Sequence, residues 1–167
     1  MKVFKETQRF DQWWLRAILA IVVLFLLYSM YSEYITALET RTELSLALMF
    51  SNLFGILIIF FLLFFLKLET RIDEQGIHYA FWPFQRTLKK FPWSSIKKCY
   101  VRDYSPIGEY GGWGYRAGFK GTSGAMNVKG TTGIQLEFKN GKKLLVGTQK
   151  ENEAKSVIAT YAHKITS

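Results

Sequence analysis

The segment "LSLALMFSNLFGILIIFFLLFFL", Leu44–Leu66, contains no charged residue in twenty-three positions. The hydrocarbon core of a bilayer takes about twenty largely apolar residues in helical form, so this segment is long enough to cross one unaided. Upstream, "AILAIVVLFLLY", Ala17–Tyr28, is uncharged but shorter. Its flanks extend it. Trp13 and Trp14 precede the run and Tyr28, Tyr31 and Tyr34 close it, the residue types that anchor helices at headgroup depth. Spans over about 13–34 and 44–66 are therefore predicted, forming an α-helical transmembrane hairpin. Burying two such helices in a soluble core would require more protein than the remaining hundred residues provide. Asn52 is the polar residue expected to hydrogen-bond the neighbouring span or a second copy of the chain.

Basic residues set the orientation. Lys2, Lys5 and Arg9 precede the first span, with Arg16 just inside it. The connector holds Arg41 against Glu33, Glu39 and Glu43, and Lys67, Arg71, Arg86, Lys89 and Lys90 follow the second span. The positive-inside bias places both termini in the cytoplasm of a multi-pass inner-membrane protein. A cleaved signal peptide would also have a basic start and a short apolar centre, but no small-x-small cleavage site follows. The predicted organisation is an N-terminal tail and hairpin over 1–67 and a cytoplasmic domain over 68–167.

From Lys67 onward 17 Lys and Arg stand against 8 Asp and Glu, a net of +9, whereas residues 1–66 carry 5 of each. A basic domain held beside an anionic leaflet gains roughly 1 kcal/mol per well-placed charge, which makes membrane lipid an expected partner. The single cysteine, Cys99, has no internal disulfide partner and suits a reducing compartment.

Beyond Lys67 the pattern becomes alternating. Ile77, Tyr79 and Phe81 oppose His78, Ala80 and Trp82, and Asp73-Glu74-Gln75-Gly76 is turn chemistry, so Leu68–Trp82 is predicted as a hairpin. Gln85–Trp93 and Ile96–Tyr104 supply two further strands, and Ala125–Gly130 a weaker one. Ile134, Leu136 and Phe138 alternate toward Asn140-Gly141, which predicts a type I′ turn and a returning strand "KKLLVGT". Thr148-Gln149-Lys150-Glu151 fits a capping box. Ala154, Val157, Ile158, Tyr161, Ala162 and Ile165 then form one helical stripe. About seven short strands and one amphipathic helix predict a mainly-β, α+β domain: a curved sheet or partly open barrel capped by its C-terminal helix.

The run "ETRIDEQGIHYAF…LKKFPWSSIKKCYVRDY…YGGWGYR…GIQLEFKNGKKLLVGTQKENEA", preceded by the helical hairpin, resembles the small bacterial membrane proteins that carry a pleckstrin-homology-like domain. The resemblance covers nearly the whole chain and rests on strand order and turn motifs. It implies a PH-like fold and a membrane-tethered binding or assembly role, and no reaction. Phosphoinositide-binding members of the wider fold carry basic residues in the first turn, where this chain has Asp73-Glu74-Gln75-Gly76. They also place a tryptophan in the closing helix, where Tyr161 is the nearest large aromatic.

Nine of the thirteen glycines fall between Gly108 and Gly133. They lack dinucleotide and P-loop spacing, so a nucleotide cradle is not expected. Two readings stay open: backbone that must bend where the sheet curls, or an interaction surface of Trp113, Tyr115, Arg116, Phe119 and Lys120, residue types that dominate binding hot spots. Nucleic-acid signatures are missing, so nucleic acid is not expected as a partner. His78, His163 and Cys99 show no catalytic or metal-ligand spacing. No enzyme activity, metal or cofactor is expected. The expected role is a membrane-anchored module that binds a protein partner, itself or anionic lipid, with a small transporter or channel subunit as the alternative.

Overall fold

The structure, a computed structural model, describes residues 2–41, 43, 45–116 and 123–165. The chain divides into two compact units, one helical (Phe10–Leu66) and one built from Met1–Arg9 together with Lys67–Ser167.

In the helical unit, α1 spans Trp13–Thr40 and α2 spans Leu46–Phe65. α1, near the N-terminus, is long and apolar enough to cross a membrane, and α2 follows as a shorter apolar helix. α1 continues six residues past Tyr34, where the sequence reading ended it, because Ile35–Thr40 holds no glycine or proline to stop a helix. The aromatic residues therefore do not mark the helix end. Trp13 to Tyr34 covers about 31 Å of helix axis, close to a hydrocarbon thickness. α2 begins at Ser45, whose Oγ accepts from Leu48 N at 3.4 Å. The two helices approach closely at Gly55, where an added Cβ would lie 3.2 Å from Leu26 Cδ1. Beside it Asn52 Nδ2 donates to Ser29 Oγ at 3.2 Å. The small residue at 55 and the polar pair beside it let the two helices pack closely.

The other unit holds nine described strands where about seven were expected. β1 (Phe4–Arg9), β2 (Lys67–Asp73), β3 (Gly76–Trp82) and β4 (Lys89–Pro92) form an antiparallel sheet in that order. β5 (Ile96–Asp103), β6 (Gly114–Arg116), β7 (Ser123–Asn127), β8 (Thr132–Phe138) and β9 (Lys143–Gly147) form the second, in the order β5-β8-β9-β7-β6. Within it β7 and β9 run parallel, so the link from β7 to β8 passes over β9. A short helix α3 (Pro106–Tyr110) follows β5, and α4 (Glu151–Tyr161) ends the fold. Leu68, Ile72, Ile77 and Phe81 of the first sheet and Ile96, Ile134, Leu136 and Leu145 of the second are fully buried. α4 packs Ala154, Val157, Ile158 and Tyr161 against β5 and β8 of one sheet and β1 and β2 of the other.

The N-terminal tail is the largest departure from the sequence reading. Phe4–Arg9 is a strand of the β unit, with Phe4 opposite Ile72 and Arg9 opposite Lys67. The helical unit is therefore an insertion between two adjacent strands of one sheet. Three local readings change as well. The third strand is confined to Lys89–Pro92, and the weak strand sits at Ser123–Asn127. The turn after β8 has positive φ at Gly141 alone (82°), with Gly141 N bonded to Phe138 O at 3.0 Å and Phe138 N to Lys142 O at 2.8 Å. That is a three-residue loop with glycine at the left-handed position, so Asn140 escapes the positive φ that type I′ would impose. The capping box does not form: α4 starts after Lys150 with no side-chain cap. Thr148 Oγ1 accepts from Lys150 N at 3.1 Å and donates to Glu6 Oε2 at 2.6 Å, so the carboxylate comes from β1 and not from Glu151. The apolar stripe ends at Tyr161, because the chain tightens into a 3₁₀ turn over Ala162–Lys164 that leaves Ala162 exposed.

Candidate ligand-binding cavity

Away from α4 the two sheets part around an open cavity of about 740 Å³. Strand alternation explains its floor. Tyr79 on β3, Phe91 on β4, Met126 on β7 and Phe138 on β8 point between the sheets. The Tyr79 and Phe91 rings stack at 5.5 Å, and Phe91 meets Phe138 at 4.7 Å. A cavity of this size with an apolar lining and a few converging polar groups is the usual form of a small-ligand site.

The rim is cationic. Lys89, Arg116, Lys139, Lys142 and Lys143 line it, and no carboxylate does among the described residues. Lys139 and Lys142 are carried there by the loop between β8 and β9, and Arg116 by the short edge strand β6. Of these, Lys143 has a carboxylate partner, Glu137 at 3.7 Å. Like charges gathered at the mouth of a low-dielectric recess raise the local concentration of an anion. The Tyr79 hydroxyl adds a donor at the floor. The residue is 3 % exposed. Burial, with Tyr115 nearby, pushes its pKa up to about 12, so the hydroxyl stays neutral and able to donate a hydrogen bond at neutral pH.

The sequence-predicted surface is partly assembled here. Tyr115 and Arg116 line the cavity, and Arg116 Nη2 is braced by Gly111 O at 3.2 Å. Trp113 is not among the lining residues; its indole Nε1 donates to Gly130 O at 3.1 Å, tying the glycine-rich stretch to the loop before β8. Several glycines there serve the backbone: Gly111, Gly112, Gly114 and Gly130 all have positive φ. Phe119 and Lys120 lie outside the described residues. Trp13, Trp14, Tyr28, Tyr31 and Tyr34 are all exposed on α1.

His78 Nε2 lies 3.1 Å from Asp73 Oδ1 in the β2–β3 hairpin, and neither lines the cavity. Burial pushes the Cys99 thiol up to about 12, which suppresses the thiolate that nucleophilic chemistry needs. No group of three His, Cys, Asp or Glu that could hold a metal occurs among the described residues.

Sequence reasoning missed Tyr79, Lys89, Lys139, Lys142 and Lys143 as a site. The one signal in the sequence is "KNGKK", Lys139–Lys143, a turn that carries three lysines. No protein-family model, curated protein or solved structure matches the chain.

Proposed function

We propose that the chain is a non-enzymatic, membrane-anchored binding module: α1 and α2 cross the cytoplasmic membrane as a hairpin, and the β unit takes an anionic ligand in its cavity on the cytoplasmic side. The observation that carries the ligand reading is the cavity itself, aromatic at its floor and cationic at its rim with no described acidic residue lining it. A protein side chain, a copy of the same chain or a lipid headgroup could present such an anion.

The two-span arrangement is supported by register. Arg9 and Lys67 are direct partners on adjacent strands, so the insertion leaves and re-enters the β unit at one place. A segment that starts and finishes on one side of a bilayer crosses it an even number of times. The β unit carries 20 Lys and Arg against 9 Asp and Glu, counting residues 1–9 with 67–167, which favours the cytoplasmic side. Two sheets closed by a C-terminal helix support the PH-like reading, and the parallel β7–β9 pair is a departure from an all-antiparallel meander. The transporter alternative draws on Asn52, and its bond to Ser29 gives that residue a role in helix association instead.

Titration calorimetry of the full chain in nanodiscs with naphthyl phosphate, an aromatic anion, tests the ligand reading. Binding that falls about tenfold in Lys142→Ala, the scale of one lost hydrogen bond to a charged group, is the expected result. Equal affinity for naphthyl phosphate and uncharged naphthol would contradict it.

A further inference from the structure

One rung closes the first sheet at the end where the helical insertion is rooted. Arg9 is paired with Lys67, and Lys67 with Trp82. α2 ends at Phe65 and β2 begins at Lys67, so at most about 7 Å of chain separates the helix from this rung. The segment that follows Trp82 leaves the sheet at the same end and holds Phe84 72 % exposed.

That exposure is built and not incidental. Gln85 N donates to Phe81 O at 2.8 Å, closing the turn that presents Phe84. The Gln85 side-chain amide donates to Tyr79 O at 3.3 Å and to Thr87 O at 3.2 Å. From below, the Phe84 ring is met by Phe81 at 6.2 Å and Tyr115 at 6.4 Å. The Arg86 guanidinium lies 6.0 Å from the Trp82 ring centroid. An exposed aromatic ring two residues beyond the rung that carries Arg9 and Lys67, with Arg86 beside Trp82, repeats the composition of a membrane interface, where amphipathic rings sit at headgroup depth and basic side chains meet lipid phosphates.

We propose that this end of the sheet is a second, non-spanning membrane contact, in which Phe84 and Trp82 enter the headgroup layer and Arg9, Arg86 and Lys67 engage its anionic lipids. Lys67 also reaches Glu69 at 2.6 Å, which leaves Arg9 and Arg86 as the principal charges of the contact. The inference rests on the reading that α1 and α2 span the bilayer, and it fixes which end of the β unit faces lipid. The loop Lys139–Lys142 lies toward the opposite end: Lys139 N bonds Ser95 O at 3.0 Å, and nearby Pro92 pairs with Gly76, where β3 starts. The contact therefore holds that part of the cavity rim toward the cytosol.

Full-length protein in vesicles tests this, with Cys99→Ser as background and an environment-sensitive dye at one of three sites: Thr87→Cys, which keeps Phe84 and Arg86, Asn140→Cys, or Trp14→Cys within α1. The Thr87 dye should be blue-shifted in vesicles and quenched by nitroxide lipids labelled near the headgroup, and the Asn140 dye should show neither effect. Adding phosphatidylglycerol to phosphatidylcholine vesicles should deepen the Thr87 quenching, and Phe84→Ser or Arg86→Glu should remove the gain. A Thr87 dye that behaves like the Asn140 dye, while the Trp14 dye is quenched, overturns the contact and leaves the spanning reading intact. An unquenched Trp14 dye overturns both.

Discussion

Glu6 and Thr148 are 142 residues apart in sequence and share a buried hydrogen bond of 2.6 Å. The second carboxylate oxygen of Glu6 accepts from Gln149 N at 2.8 Å, so one side chain of β1 organises the entry to α4. Gln8 adds a bond from its amide to Gly147 O at 2.7 Å, and Tyr161 Oη donates to Lys2 O at 2.7 Å. The N-terminal strand is thus held by the end of β9 and by α4 as well as by its ladder to β2.

Thr148→Val keeps the shape of the side chain and removes its hydroxyl, leaving a buried carboxylate oxygen without its donor. A loss of about 1–3 kcal/mol in unfolding free energy is expected, the usual cost of an orphaned buried acceptor, with Thr148→Ser restoring most of it. Chemical denaturation of the purified protein measures this. A change within about 0.5 kcal/mol, the scale of an ordinary surface substitution, would show the bond to be idle.

Replacing Phe10–Leu66 by Asn-Gly joins Arg9 to Lys67, which already face each other, through the two-residue turn preferred in hairpins. The shortened chain is expected to be water-soluble and folded, with a dispersed amide spectrum. A fragment of Lys67–Ser167 alone lacks Phe4, Glu6 and Gln8 and is expected to melt well below it or to aggregate. Equal melting temperatures for the two would mean that β1 is dispensable.

Asp73 sets an acid limit on stability. Burial raises its pKa, but the hydrogen bond from Gln75 N, the His78 contact and the Arg71 charge outweigh burial, so it stays below its ordinary value of 3.8. A carboxylate depressed in the folded state contributes stability that is full above its unfolded pKa and is lost as pH falls through the folded one. Melting temperature should therefore drop below about pH 4, and Asp73→Asn should flatten that part of the profile. An unchanged acid limb in Asp73→Asn would assign it to other carboxylates.

The parts of this architecture that were legible in sequence are those carried by hydrophobic pattern. The uncharged run around Phe54, the hairpin over Ile77–Phe81 and the stripe from Ala154 to Tyr161 all follow from it. β1 was hidden because its buried face is Phe4, Glu6 and Gln8, two polar residues out of three, which alternate against nothing apolar. Its partners lie beyond a 57-residue insertion, a separation that no local window bridges. The cavity was hidden for a related reason. Its floor residues serve as core residues of their own strands, and its rim lysines come from a turn and an edge strand that meet only when both sheets have formed. Tyr115 and Arg116 stand out in the sequence by type beside Trp113 among the glycines; Tyr79 does not.

Thiol labelling in intact cells is the most direct test of the paired-strand insertion, using single cysteines at Lys2, Glu39 and Asn140 in a Cys99→Ser background and a membrane-impermeant maleimide. Glu39→Cys should label from outside, while Lys2→Cys and Asn140→Cys should label only after permeabilisation. Labelling of Lys2→Cys and Asn140→Cys from opposite sides of the membrane would contradict it, since β1 and β2 could not then belong to one sheet.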